Sequence, residues 1–168
     1  MTQDKRFLDK VAFLDSQQRL NLIPPETLVE QLPIHDHADI LDIGAGTGYF
    51  TIALAEKTKG TVYALDLDDR MLTVIRQKAS DRSITNIVGI RKRVEDILQA
   101  HVGISENSLD FVMASLVLHE VPALSQVLET VYTMMKSGGH LLCLEYEHDE
   151  RILQGPPMSI RVGSAELK

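Results

Sequence analysis

The strongest constraint on the fold is a glycine loop paired with an acid one strand further along. Asp39-Ile40-Leu41-Asp42-Ile43 is an apolar run that leads directly into Gly44-Ala45-Gly46-Thr47-Gly48, and helical spacing follows at once over 49–58. Glycine is needed where the backbone takes a positive φ, or where a ligand comes too close for a Cβ. A strand, glycine loop and helix in this order hold their ligand outside the carboxyl end of a sheet, at its switch point. Twenty positions after Gly46, the next apolar run, Val62-Tyr63-Ala64-Leu65, ends on Asp66. That offset suits a carboxylate accepting hydrogen bonds from ribose hydroxyls. Loop and acid together are far more specific than either alone; the bland alternative is a tight turn beside a solvated strand end.

The rest of the chain repeats the alternation. Apolar β-rich runs at 39–43, 61–65, 87–91, 110–114 and 140–146 alternate with helical patterns at 49–58, 69–80 and 122–135. This predicts an α/β fold, a Rossmann-like doubly wound parallel sheet with helices on both faces. Several runs are apolar on both sides, as strands covered by helices twice over must be. Leu124, Val127, Leu128, Val131 and Met135 form one helical stripe, and Gly138-Gly139 is expected to stop that helix. Ahead of the first strand, patches at 7–13 and 25–32 are helical, the second started by Pro24-Pro25. The chain is expected to form a single domain: a helical cap over 1–36, a cofactor-binding core over 37–146 and a tail over 147–168. In that tail Ser164 looks like the N-cap of a helix that is not completed.

The loop spacing bears on the ligand. A dinucleotide loop reads Gly-x-Gly-x-x-Gly and seats a pyrophosphate on its helix. Here the spacing is Gly44-x-Gly46-x-Gly48, with Asp42 two residues ahead. A fixed carboxylate there repels phosphate and favours an amino group and a sulfonium, the charges of S-adenosylmethionine. Asp42 also reads as a buried acid satisfied by backbone N–H groups.

Leu41-Asp42-Ile43-Gly44-Ala45-Gly46-Thr47-Gly48 resembles the cofactor motif of the class I S-adenosylmethionine-dependent methyltransferases. Val62–Asp66 with Met71-Leu72, the strand Leu109-Asp110-Phe111-Val112, and Lys136-Ser137-Gly138-Gly139 before the last strand match further family elements in order. The likeness runs from about Asp15 to Gly155. It is greatest to small bacterial and archaeal members related to quinone-biosynthesis C-methyltransferases, where Leu116-Val117-Leu118-His119-Glu120-Val121 has counterparts. The resemblance implies a transferase that carries S-adenosylmethionine, releases S-adenosylhomocysteine and methylates a small molecule. It implies a cofactor site built from Asp42, Gly44, Ala45, Gly46, Asp66, Leu67, Met71, Val94, Glu95, Ala114 and Ser115. Two departures stand out. Arg93 occupies the position where many relatives place an acid for the adenine amino group, leaving Glu95 or a backbone group for that task. The sequence also has no room for the family's last helix and antiparallel strands. An exposed sheet edge, lowered stability or self-association to a homo-oligomer is therefore expected.

His119, just past the fourth strand, is the candidate general base; the alternative is that it only shapes its loop. Tyr49 is read as packing on the N-terminal cap in preference to facing a sulfonium. His35-Asp36-His37 reads as a solvated turn and not a metal site. Cys143, within Leu141-Leu142-Cys143-Leu144, reads as a small buried hydrophobe, and the acidic run Glu145, Glu147, Asp149, Glu150 as solvated surface.

A formal net charge of −7 gives no electrostatic drive toward a nucleic-acid backbone, and the absence of Trp gives no stacking platform. No apolar run is long enough to span a bilayer, and the N-terminus has no signal-peptide core, so a cytoplasmic protein without a membrane partner is expected. Two rivals stay open: a catalytically idle S-adenosylmethionine-binding module and a nicotinamide-dependent oxidoreductase.

Overall fold

The central strands are apolar on both sides, and the structure shows what covers them. The computed structural model describes residues 3–97, 103–147, 149 and 155–163. Three helices come first: α1 (Gln3–Leu14), α2 (Gln17–Leu22) and α3 (Pro25–Glu30). Then β1 (Ile40–Ile43), α4 (Thr51–Lys57), β2 (Val62–Leu65), α5 (Asp69–Asp81), β3 (Ile87–Ile90), β4 (Leu109–Ser115), α6 (Leu124–Met134) and β5 (Met135–Leu144) alternate. The order across the sheet is β3-β2-β1-β4-β5, and every pairing is parallel.

Alternation along the strands sorts the core into two layers. Leu41, Ile43, Val112 and Ala114 face Val127, Val131 and Met134 of α6. Ile40, Val62, Phe111 and Met113 face Phe50, Leu54 and Val29 on the other side. All of these are buried, so hydrophobic burial on both faces fixes the register. Ile43 lies beside Leu65 on one flank and Ala114 on the other. The three strands therefore end level, and whatever follows each of them meets at the switch point between β1 and β4.

Three expectations change. Ser16 caps a further helix, α2, by accepting from the Arg19 N–H, so the cap has a helix between the two patches read from the sequence. Helix α6 ends at Met134, before Gly138-Gly139. Met135 already pairs with Leu109, and His140 is the next residue aligned with Phe111, so the glycine pair lies in a bulge of β5. The helical stripe placed Met135 one residue too far. β5 is the outermost strand on its side among the described residues, with Leu141 38% exposed. The uncompleted helix expected at Ser164 lies outside the described residues.

Candidate active site

The glycine loop leaves β1 at Ile43, and its shape is set by what presses on it. Gly44 has φ +68°, and a Cβ there would coincide with the side chain of Val117 beyond β4. A Cβ on Gly48, at φ +82°, would come within 2.9 Å of Ile75 on α5. Neither position tolerates a larger residue without moving an element.

Asp66, at the end of β2, ties the loop down. Its Oδ2 accepts from the Gly46 N–H at 2.9 Å, and its Oδ1 from the Asp68 N–H at 2.8 Å. Asp68 then caps α5, accepting from the Arg70 N–H at 3.0 Å. The acid read as a ribose ligand is thus also the brace between loop and helix. Asp42 sits beneath, 2% exposed, with its Oδ2 accepting from the Thr51 hydroxyl at 2.6 Å. Its partner is Thr51 of α4, which supplies a backbone group of the kind expected as well as the hydroxyl. Burial raises its carboxyl to about 7, opposed by the Thr51 hydrogen bond and helped by the nearby charge of Asp66.

The cap closes over the loop through Asp15, Arg19 and Ile23. Asp15 accepts from the Thr47 hydroxyl at 2.7 Å and pairs with Lys78 of α5 at 2.9 Å. Tyr49 donates its hydroxyl to the Ile23 carbonyl at 2.8 Å, which bears out its packing role. Arg19 lies over the Tyr49 ring, 4.3 Å from its centre, and burial lowers its pKa.

Between cap, loop and strand ends lies a cleft of about 1000 Å3. Asp42, Gly44, Ala45, Gly46, Asp66, Leu67, Val94, Glu95, Ser115 and His119 all line it. Met71 and Ala114 do not. Met71, 1% exposed, is buried in the first turn of α5, and Ala114 is wholly buried in the core beside Ile43. Arg93 and Glu95 both reach the cleft wall, while Val94 between them is buried.

Glu145, which the sequence placed in a solvated acidic run, belongs here. Its side chain is 6% exposed. Its Oε1 accepts from the N–H groups of Val117 (2.9 Å) and Leu118 (2.6 Å), and its Oε2 lies 2.8 Å from His119 Nδ1. No local pattern could have revealed it, since its partners lie more than 25 residues away. The one hint was its position immediately after the last strand, where site residues collect. His35 is exposed, as a solvated turn requires, and pairs with Asp110 at the start of β4 at 3.2 Å. Cys143 is half-buried, its thiol pKa raised by burial and then by the Glu145 charge.

A parallel sheet in this order, with a glycine loop at its switch point braced by the acid of the next strand, defines a doubly wound α/β fold of the nucleotide-binding type. Residues 34–161 match the family model described as a methyltransferase domain, and the chain belongs to that family. It is 30% identical over 128 residues to a demethylmenaquinone methyltransferase of Lactiplantibacillus plantarum, covering 75% of this chain and 52% of that one. Against the Geobacillus stearothermophilus protein of the same name it is 36% identical over 107 residues, covering 62% and 44%. The chain spans about half the length of these curated relatives. In structure it matches a SAM dependent methyltransferase from Aquifex aeolicus with TM-score 0.80 and 24% identity, covering 95% of this chain and 82% of that one. It also matches a putative S-adenosylmethionine dependent methyltransferase from Listeria monocytogenes with TM-score 0.61 and 29% identity, covering 73% and 55%.

Proposed function

We propose that this chain is an enzyme that binds S-adenosylmethionine in the cleft and methylates a small, largely apolar molecule. The observation that carries this is Asp66 gripping the Gly46 N–H while buried Asp42 lines the same cleft. The residues fit the cofactor on their donor chemistry. A carboxylate has about four lone-pair sites, so Asp66 can accept from ribose hydroxyls while still holding the Gly46 and Asp68 N–H groups. Leu67, 60% exposed at the cleft, and buried Val94 offer apolar surface for an adenine, and Glu95 offers an acceptor for its amino group. Thr51 occupies part of the Asp42 carboxylate's acceptor capacity, and the remaining lone pairs suit an α-ammonium. The Gly44–Gly46 backbone and Ser115 complete that end.

When bound, the cofactor supplies an activated methyl group, and the protein contributes chiefly orientation. The cap holds the loop through Asp15 and Tyr49, and its exposed Phe13 and Leu22 line the same cleft as an apolar wall for the acceptor. The match to demethylmenaquinone methyltransferases supports an acceptor of that general kind. His119, facing the cleft, is the base in this scheme. A cytoplasmic setting and the lack of a nucleic-acid partner belong to the same proposal, the second supported by the net charge of −7.

Calorimetric titration with S-adenosylmethionine, S-adenosylhomocysteine and NAD tests it. The first two are expected to bind one site per chain in the micromolar range, and NAD is not. NAD binding as tight as the sulfonium's would return the nicotinamide alternative.

A further inference from the structure

We propose that Glu145 is a positioning residue. It fixes His119 with the proton on Nδ1 and a free lone pair on Nε2, so that His119 accepts a proton from a neutral acceptor bearing a weakly acidic O–H or N–H. This extends, and rests on, the function proposed above.

The bonding pattern at the end of β5 dictates the tautomer. Three successive backbone N–H groups point at that end: Leu116 donates to the Leu144 carbonyl at 2.7 Å, and Val117 and Leu118 donate to Glu145 Oε1. Both partners of Oε1 are backbone N–H donors, the bonding pattern of an acceptor-only carboxylate. Oε2, 2.8 Å from His119 Nδ1, must then receive a proton from that nitrogen. In the neutral ring this leaves Nε2 as the acceptor.

The arrangement is also held under tension. Leu116 has φ +54°, a left-handed conformation that a leucine adopts only when its surroundings impose it. The turn so formed presses the Val117 side chain into the space a Cβ on Gly44 would need. One carboxylate therefore sets the imidazole and, through Val117, its relation to the glycine loop. A surface histidine that only shaped a turn would need none of this. The Tyr146 ring meets the imidazole edge-on, with centres 6.4 Å apart.

The proton path balances simply. The acceptor X–H bond breaks with its electron pair left on X, and the proton joins the His119 Nε2 lone pair. The imidazolium is stabilised by the Glu145 carboxylate until Nε2 releases the proton to water at the open mouth of the cleft. With Phe13 and Leu22 as the apolar wall, the acceptor class is a hydrophobic molecule with a phenol-like or enol-like proton. An acceptor already ionised in solution would have no need of the dyad.

The test needs no substrate. Two-bond proton–nitrogen correlation spectra of the full chain, labelled with nitrogen-15 histidine at pH 8, are expected to show His119 protonated on Nδ1. In Glu145→Gln the single amide oxygen keeps the backbone N–H groups and the amide nitrogen faces Nδ1, so the tautomer should reverse to Nε2–H. Carbethoxylation by diethyl pyrocarbonate, mapped by mass spectrometry, should modify His119 in the parent and at least tenfold more slowly in Glu145→Gln. Exposed His37 should react equally in both. An Nε2–H tautomer in the parent, or unchanged carbethoxylation in the variant, overturns the proposal. The parent spectrum decides alone if the variant does not fold. S-Adenosylhomocysteine titration is scored separately, so failure to bind it would sink the cofactor site without touching the tautomer.

Discussion

Asp42→Asn should leave the protein better folded and worse at its task, and the size of the first effect follows from the site. An Asp carboxyl ionises near 3.8 in the unfolded chain and near 7 in the folded one, chiefly because burial disfavours the charge. Between those values the unfolded chain has released a proton that the folded chain retains. Stability is therefore fully present below pH 3.8, falls as pH rises, and is lost in full above 7. At about 1.36 kcal/mol for each tenfold, the full loss is about 4 kcal/mol, with about 2 already gone at pH 5. Asparagine is nearly the same shape, its oxygen can still accept from the Thr51 hydroxyl, and it has no charge to desolvate. The stability difference between Asp42→Asn and the parent should thus be about 2–3 kcal/mol more favourable to the variant at pH 8 than at pH 5. Any fixed cost of fitting the amide cancels between the two. For a domain of this size that is a relative Tm gain of about 5–10 °C. Urea denaturation at both pH values, with S-adenosylmethionine titrated in parallel, measures both effects. A difference that does not change between pH 5 and pH 8 would refute the buried-carboxylate argument. Undiminished cofactor affinity would refute the role given to the remaining lone pairs of Asp42.

Other substitutions separate bracing from binding. Asp66→Ala strands the Gly46 and Asp68 N–H groups; at about 1–3 kcal/mol for each unsatisfied donor, discounted for partial exposure, about 2–3 kcal/mol of stability should go, together with cofactor binding. A variant as stable as the parent by thermal melt would show that the brace contributes nothing. Gly44→Ala forces a side chain to φ +68° and against Val117, so a loss of about 1–2 kcal/mol from the backbone alone is expected. Calorimetry should also show at least a tenfold drop in S-adenosylhomocysteine affinity. Asp15→Ala releases Thr47 and Lys78 from the cap; with both charges a third exposed, global stability should change by less than about 1 kcal/mol. Amide exchange in α1 and α2 should nevertheless quicken, and unchanged exchange would mean that the cap is held elsewhere.

What the sequence made legible depended on how far apart the interacting residues lie. The strands could be read because the central ones, β1, β2 and β4, are mostly buried and the edge strands β3 and β5 still carry apolar runs, a pattern that needs no tertiary information. The loop, Asp42 and Asp66 were legible because a fixed order of elements brings them together at the switch point. The end of α6 was misplaced because Met135 continues the helical stripe, while its pairing with Leu109 is a long-range fact. Glu145 was taken for a solvated acid for the same reason: its donors, Val117 and Leu118, reach it only once β4 and β5 pair. Met71 and Ala114 were included by motif position, which fixes a backbone location without saying whether a side chain reaches the cleft.

A crystal structure with S-adenosylhomocysteine bound tests the central claim most directly. The ribose hydroxyls are expected on Asp66, the α-ammonium on Asp42, and the adenine between Leu67 and Val94. Density for the nucleoside outside this cleft, or a ligand bound with neither carboxylate in contact, would contradict it.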